Sequence, residues 1–292
     1  MYLMEEGVIE HFRELGFGPQ RLYQDFELGL DILDSSIRIN HVVSVDDRVR
    51  LTVTPAVDRT GAAIFKVQGS LQPLLECFEK PVPMFSGNVK VGLVPDGTPA
   101  SRDWPSVIAP YVVQPGQPAV GRRIAAALDG HGVSAIAPDV RAQLAPAGRN
   151  AFVWKWRIPY PYCHYSDRLQ HSGYLRLMEE VVDLFLADRG LSIRTMLDKH
   201  QWIPFVQNAR VEILQDALME EPIYTVFTVT DIYKSLLYSA AFDCYVERDG
   251  GLVQTARGQI THGYAHIRSR SDWGLVPFDE ETLAALSGRR MQ

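Results

Sequence analysis

Leu3-Met4-Glu5-Glu6 recurs as Leu177-Met178-Glu179-Glu180, and the spacing between the copies is 177 − 3 = 174 residues. Carried forward without a gap, that spacing places Val8 on Val182, Gly16 on Gly190, Ile37 on Val211 and Ile39 on Ile213. The chain therefore reads as one structural unit used twice. In the first copy Leu3, Val8, Phe12 and Leu15 recur at helical spacing, and Gly16 or Gly18 can end the helix. Period-two stretches follow at Ile37 and Ile39, at Val49, Leu51 and Val53, at Ala63, Phe65 and Val67, and at Val89, Val91 and Leu93. Asp46-Asp47 and Asp58-Arg59-Thr60-Gly61 supply turns between them. The second copy repeats the order, with a helix over 174–189 and strands near 205–214, 222–231, 235–247 and 252–267. Each copy is expected to be a helix followed by an antiparallel meander, an α+β class of fold.

Between the copies the composition changes. From Pro81 to Pro118 lie eight of the chain's 18 prolines, which excludes central strands and long helices there. One short helix is expected after it, entered at Pro118, stopped at Gly130 and turning Ile124 and Leu128 inward. Phe152, Trp154, Trp156 and Ile158 then alternate with Val153, Lys155 and Arg157, a strong strand signal with no counterpart ahead of the first helix. The expected organisation is an N-terminal half over 1–94 lacking its first strand, a Pro-rich connector over 95–148, and a C-terminal half over 149–292.

The 292-residue chain, 46% apolar and 22% charged, can bury a large core. A net charge of −6, with no stretch that concentrates Lys and Arg on one face, argues against nucleic acid or an anionic membrane as partner. Glu5 and Glu6 follow Met1 without a basic start or an apolar run, and no apolar run reaches spanning length, so neither a signal peptide nor a membrane span is expected. Cys77, Cys163 and Cys244 form an odd, widely spaced set that suits a reducing cytoplasm. His262 and His266 lack Cys or carboxylate at ligand spacing, so no metal site is expected. There is no Gly-x-Ser-x-Gly elbow, phosphate-binding glycine loop or dinucleotide fingerprint.

The segment that the asymmetry between the copies isolates, Tyr162 to Glu180, holds the candidate chemistry: two His, an Asp and three Tyr between a strand end and a helix start. Asp167 could serve as general base on water or attack a carbonyl directly. The amides near Gly173 and Tyr174, at the positive end of the helix dipole, could polarise that carbonyl, with Gly173 leaving the approach open. His171 could orient the water or protonate a leaving thiolate. Tyr174 reads mainly as packing, while Glu179 and Glu180 read as helix-surface residues with a helix Glu kept as an option. Trp104, Tyr111 and the aromatic strand over 152–160 could line an acyl channel, though aromatic residues at strand spacing are more often core.

Asp167, His171, Tyr174-Leu175 and Glu179 resemble the strand-to-helix loop of the hotdog-fold thioesterases, of the 4-hydroxybenzoyl-CoA and acyl-carrier-protein types. Asp167-x-x-Gln170-His171 is similar to the core of the tandem-hotdog members. The resemblance implies a double hotdog with one active site per chain, acting as a cofactor-free monomer or homodimer in the cytoplasm. It implies hydrolysis of an acyl thioester carried on coenzyme A or an acyl carrier protein, with polyketide biosynthesis as one setting. Two departures stand out: Leu169 replaces the family's Asn, and the loop between His and Tyr-Leu is about three residues short. With the gap placed elsewhere, His164 rather than Asp167 falls at the acid position. Asp167 and His171 also satisfy the Asp-x-x-x-His of double-hotdog dehydratases, although the catalytic His of their first half has no counterpart here. A hotdog that binds an acyl chain without turning it over is the remaining alternative.

Overall fold

The computed structural model describes residues 1–43, 46–72, 81–95, 103–113, 121–125, 136–163, 166–268 and 272–288. The chain divides into two compact units, Met1–Pro118 and Ala119–Gln292.

The first unit opens with α1 (Tyr2–Glu14) and α2 (Pro19–Phe26), followed by β1 (Leu28–Ile39), β2 (Arg48–Val57), β3 (Ala63–Gln72) and β4 (Val82–Pro95). The strands form an antiparallel sheet in the order β2-β3-β4-β1. Met4, Val8 and Phe12, spaced by four, are the buried stripe of α1, whereas Leu3 and Leu15 of the expected stripe are exposed. The i, i+4 stripe wins because it alone aligns with the sheet: Phe12 meets Phe65 edge-on at 5.6 Å, and Tyr111 stacks on Phe65 at 5.1 Å. Tyr111, itself only half-buried, thus covers Phe12 and Phe65 of this unit. A Cβ on Gly87 would lie 2.1 Å from the Ser36 carbonyl oxygen and 2.4 Å from Met4 Cε, so helix and sheet close only over a bare backbone. The Asp58 turn forms as expected: its carboxylate accepts from Thr60 N and Ala62 N at 2.8 and 3.0 Å, and Gly61 takes a φ of 87°.

The second unit contains β5 (Arg123–Ala125), α3 (Pro138–Leu144), β6 (Ala151–Arg157), α4 (His171–Asp188), α5 (Ile193–His200), β7 (Trp202–Ile213), β8 (Pro222–Tyr233), β9 (Leu237–Arg248), β10 (Gly251–Ile267), β11 (Trp273–Leu275) and α6 (Glu280–Leu286). Its sheet runs β7-β10-β9-β8-β6, antiparallel throughout, with β5 and β11 added along β10. The sheet is covered on both faces, which is why Ile223 to Phe227 are all buried rather than alternating. Phe227 meets Phe185 of α4 at 5.1 Å on one face. On the other, Tyr224, Val226, Tyr245 and Leu252 pack under Val140 and Leu144 of α3 and Ala137, its N-cap.

The spacing of 174 holds at the level of elements. Adding it to α2, β1 and the starts of β2 and β3 gives Ile193–His200, Trp202–Ile213, Pro222 and Leu237, the bounds of α5 and β7 and the starts of β8 and β9. The caps correspond too: Glu27 and Gln201 both end their helices in the left-handed region, at φ 57° and 55°. β6 is the extra strand of the second unit, beside β8, as the alternation over 152–158 predicts.

Three expectations change. The prolines from Pro81 onward do not exclude a central strand, since β4 lies between β3 and β1; Pro83 falls beside the register shift at Gly69/Ser70 and Pro95 is the last residue of the strand, the places where a missing N–H is tolerated. The helix from Pro118 to Gly130 is not formed at 123–125, where β5 pairs with Gly251–Val253. β10 outruns β7 at that end, since their register begins at Ala256, and Ile124 takes the open edge while packing on the α3 core. Leu128 and the ends of that helix lie outside the described residues. In β6 the buried side chains are Val153 and Lys155, not the tryptophans. Lys155 remains inside because its ammonium meets Glu247 at 3.2 Å and sits 5.0 Å from the Tyr224 ring centroid.

Candidate active site

The loop over 158–170 joins β6 to α4 and is fastened on three sides. Ile158 exchanges main-chain hydrogen bonds with the turn at Glu220-Glu221, at 3.1 and 3.0 Å. Leu169 N donates to the Ala217 carbonyl at 2.8 Å, and Met219 N donates to the Asp167 carbonyl at 2.6 Å, a short antiparallel ladder around Arg168 and Leu218. Within the loop, Ser166 Oγ accepts from Arg168 N and from the Gln170 amide at 3.1 and 3.0 Å, and Gln170 N donates to the Tyr162 carbonyl at 3.0 Å.

Asp167 is exposed at the outer edge of this loop, and among the described residues its carboxylate has no hydrogen-bond partner. It does not cap α4; the N-cap is Gln170, with no side-chain cap bond. Its charge acts on Cys163, a fully buried thiol pushed up by burial and then by that charge. His171 opens α4 and is 3% exposed. Tyr174 is wholly buried, and burial, followed by the nearby Cys244 thiol, pushes its hydroxyl far above the usual range. Glu179 is exposed on α4, and desolvation raises its carboxyl. His164 lies outside the described residues.

Gly173 serves packing. The place where its Cβ would stand is 2.5 Å from Leu169 Cδ1 and 3.3 Å from Tyr162 Cβ, so the loop occupies the space that the sequence reading left open for a substrate. The amides of Gly173 and Tyr174 both donate to the Gln170 carbonyl, at 2.9 and 3.2 Å. They act inside the helix rather than at its mouth; what α4 offers a developing anion is the dipole of its first turn. Gly173→Ala combines an overpacking cost of about 1 kcal/mol with a helix gain of about 1 kcal/mol. The expected result is an almost unchanged melting temperature with a lower turnover number, measured side by side, because Leu169 and the Asp167 loop yield.

Beside the loop lies an aromatic ladder. Trp154 and Trp156 stack at 5.2 Å and 6°, Trp156 meets Tyr162 edge-on at 5.5 Å, and the Arg176 guanidinium lies 5.8 Å from the Tyr162 centroid. Sequence reasoning missed the residues that hold the loop from behind. Arg248, the last residue of β9, forks onto Glu221 at 3.0 and 2.7 Å and donates to the Asp216 carbonyl at 2.8 Å. Glu221 in turn accepts from Leu218 N at 2.6 Å. The pair is 27 residues apart in sequence, and no local pattern signals it.

A helix opening on a fastened loop over an antiparallel sheet, with the same unit present twice, is the double-hotdog fold, α+β in class. Residues 161–286 match the family model described as the thioesterase-like superfamily, the segment that carries the loop, α4 and the sheet. That match bears out the resemblance to thioesterases and supports a thioester hydrolase. A solved structure assigned provisionally as an oleoyl thioesterase, from Lactobacillus plantarum, is similar over 89% of this chain and 87% of its own, at 11% identity and a TM-score of 0.50. Two others match over about half of this chain. The 1,4-dihydroxy-2-naphthoyl-CoA thioesterase from Synechocystis is 13% identical, covering 47% of this chain and 95% of its own, at a TM-score of 0.41. The 4-hydroxybenzoyl CoA thioesterase from Pseudomonas sp. strain CBS-3 is 11% identical, covering 47% and 99%, at a TM-score of 0.43. No curated protein sequence matches. Among the described residues no helix is long and apolar enough to cross a membrane, and no group of three His, Cys, Asp or Glu could hold a metal ion.

Proposed function

We propose that this chain hydrolyses an acyl thioester carried on coenzyme A or an acyl carrier protein, with Asp167 as the reacting carboxylate. The observation that carries this reading is the contrast within the loop: Asp167 is exposed and caps nothing, while the main chain on both sides of it is tied down. A side chain that contributes no structural bond, on a backbone held in place, is arranged for chemistry.

In the hydrolytic step Asp167 takes a proton from water as the water oxygen attacks the thioester carbonyl. The dipole of the first turn of α4 favours the oxyanion. The carbon–sulfur bond then breaks, and the thiolate recovers the proton from Asp167, leaving a carboxylic acid and a thiol. His171, 3% exposed, suits orienting the water or the loop better than reaching a departing thiolate. Trp154, Trp156 and Tyr162 offer an apolar wall for the acyl group.

The test is incubation of the full chain with parallel panels of acyl-CoA and acyl-carrier-protein thioesters, following free thiol and product mass. Equimolar thiol and acid from one panel supports the reading and identifies the carrier. A product lighter by one water with the thioester intact would make the protein a dehydratase. An acyl ligand that stays bound without thiol release would make it a binding protein.

A further inference from the structure

We propose that Arg248 and Glu221 are positioning residues for the reacting loop, an inference that rests on the role of Asp167 given above. The path is short and every link is a hydrogen bond. The guanidinium holds the segment 216–221 at three points, two on the Glu221 carboxylate and one on the Asp216 carbonyl. The same carboxylate holds Leu218 N at 2.6 Å, and on either side of Leu218 the segment grips the loop, through Ala217 to Leu169 and Met219 to Asp167.

The geometry is costly in the backbone, which indicates that the turn needs fastening. Glu220 sits at φ 71°, a left-handed conformation for a residue with a side chain, and the tight turn closes with Glu221 N on the Leu218 carbonyl at 3.1 Å. The pair is well placed to supply that fastening. Its side chains are only 28% and 21% exposed, and Glu221 raises the Arg248 guanidinium still further into its charged form. A planar fork fixes a carboxylate in direction as well as distance, which a lysine ammonium cannot do. β9 thus sets the position of Asp167 without touching it. Misplacement of a reacting group by an ångström can cost on the order of 100-fold in rate.

The test reads the loop and the chemistry separately. Cys163 is fully buried beside Asp167, so its alkylation by iodoacetamide, resolved by peptide mass, reports whether the loop has opened. Arg248→Met is expected to expose Cys163, raising its alkylation rate by roughly ten-fold or more, and to lower kcat by roughly ten-fold or more with KM changed by less than about three-fold. Glu221→Gln keeps one oxygen to accept from Leu218 N but turns an amide NH2 onto the other arm of the fork, so it is expected to move both readouts in the same direction as Arg248→Met, and by less. In an Asp167→Asn background Arg248→Met should cost no further activity, since the loop then has nothing left to place. Should Arg248→Met yield no folded chain, Arg248→Lys, which keeps the charge and loses the fork, takes its place with the same readouts. Unchanged protection of Cys163, or an equal loss of activity in both backgrounds, overturns the proposal. Full activity of Asp167→Asn alone would instead remove the catalytic reading, while Cys163 would still report whether the pair holds the loop.

Discussion

Asp167→Asn is expected to slow thioester hydrolysis by roughly 100-fold or more and to leave the unfolding transition where it is. The rate loss corresponds to about 2.7 kcal/mol of barrier, the scale of a lost acid–base partner. The structural cost should be close to nothing, for three reasons. The side chain is exposed, so no cavity forms. The N-cap of α4 is Gln170, so the loss of about 1 kcal/mol that follows removal of a capping carboxylate does not arise. The bond that Asp167 does make, from Met219 N, goes to its main-chain carbonyl, which the substitution retains. kcat/KM on the best thioester and thermal unfolding, measured on the same preparation, separate the two effects. A lowered melting temperature with an unchanged rate would make Asp167 a structural residue. His164→Ala belongs beside it: if that change abolishes turnover while Asp167→Asn remains active, the acid position is at 164 and the three-residue gap belongs before His171.

The repeat was legible in the sequence because the two units share strand and helix lengths closely enough for a constant spacing to survive from α2 into β3. Identities are few, and what persists is the order of periods, which depends on which face each residue turns to the core. The helices α2 and α5 were not read. Each is eight residues long with one buried side chain, Leu22 or Met196, and so has no stripe to detect. β5 was not legible either, since a three-residue strand on the overhang of β10 is set by a distant edge and not by its own pattern. β6 shows a different limit. Its alternation gave the strand but not the face, because Lys155, a residue normally placed outside, is held inside by Glu247 and the Tyr224 ring. The candidate site divides in the same way. Asp167 and His171 stand out by residue type and spacing, whereas the Arg248–Glu221 pair depends on β8 and β9 being neighbours. Gly173 was visible as a glycine at a helix start, but what fills the space beside it, Leu169 and Tyr162, is a property of the folded loop.

The second large effect concerns pH. His262 lies on β10, 6% exposed, with its ring stacked on Tyr238 at 5.4 Å and 13°, and neither ring nitrogen has a hydrogen-bond partner among the described residues. Burial lowers its pKa to about 4 from the ordinary 6.5. The folded state therefore holds the imidazole neutral, and the unfolded chain binds the proton first. Above pH 6.5 neither state is protonated and the full stability is present; as pH falls from 6.5 towards 4 the unfolded state gains protons that the folded state refuses, and stability is lost. At about 1.4 kcal/mol per unit, the loss approaches about 3 kcal/mol for this one side chain. Tyr238 and Tyr264, whose hydroxyls are pushed up mainly by burial, stay neutral across this window. Asp183, whose carboxyl desolvation raises and whose charge acts on both tyrosines, contributes with the opposite sign. His262→Leu fills much the same volume and removes the titration while leaving Asp183 in place. Urea unfolding of parent and variant at about pH 7.5 and about pH 4 should show their difference moving by about 3 kcal/mol in favour of the variant at the lower pH. A difference that stays level would mean that His262 takes up its proton in the folded state, with Tyr238 or Asp183 moving to receive it.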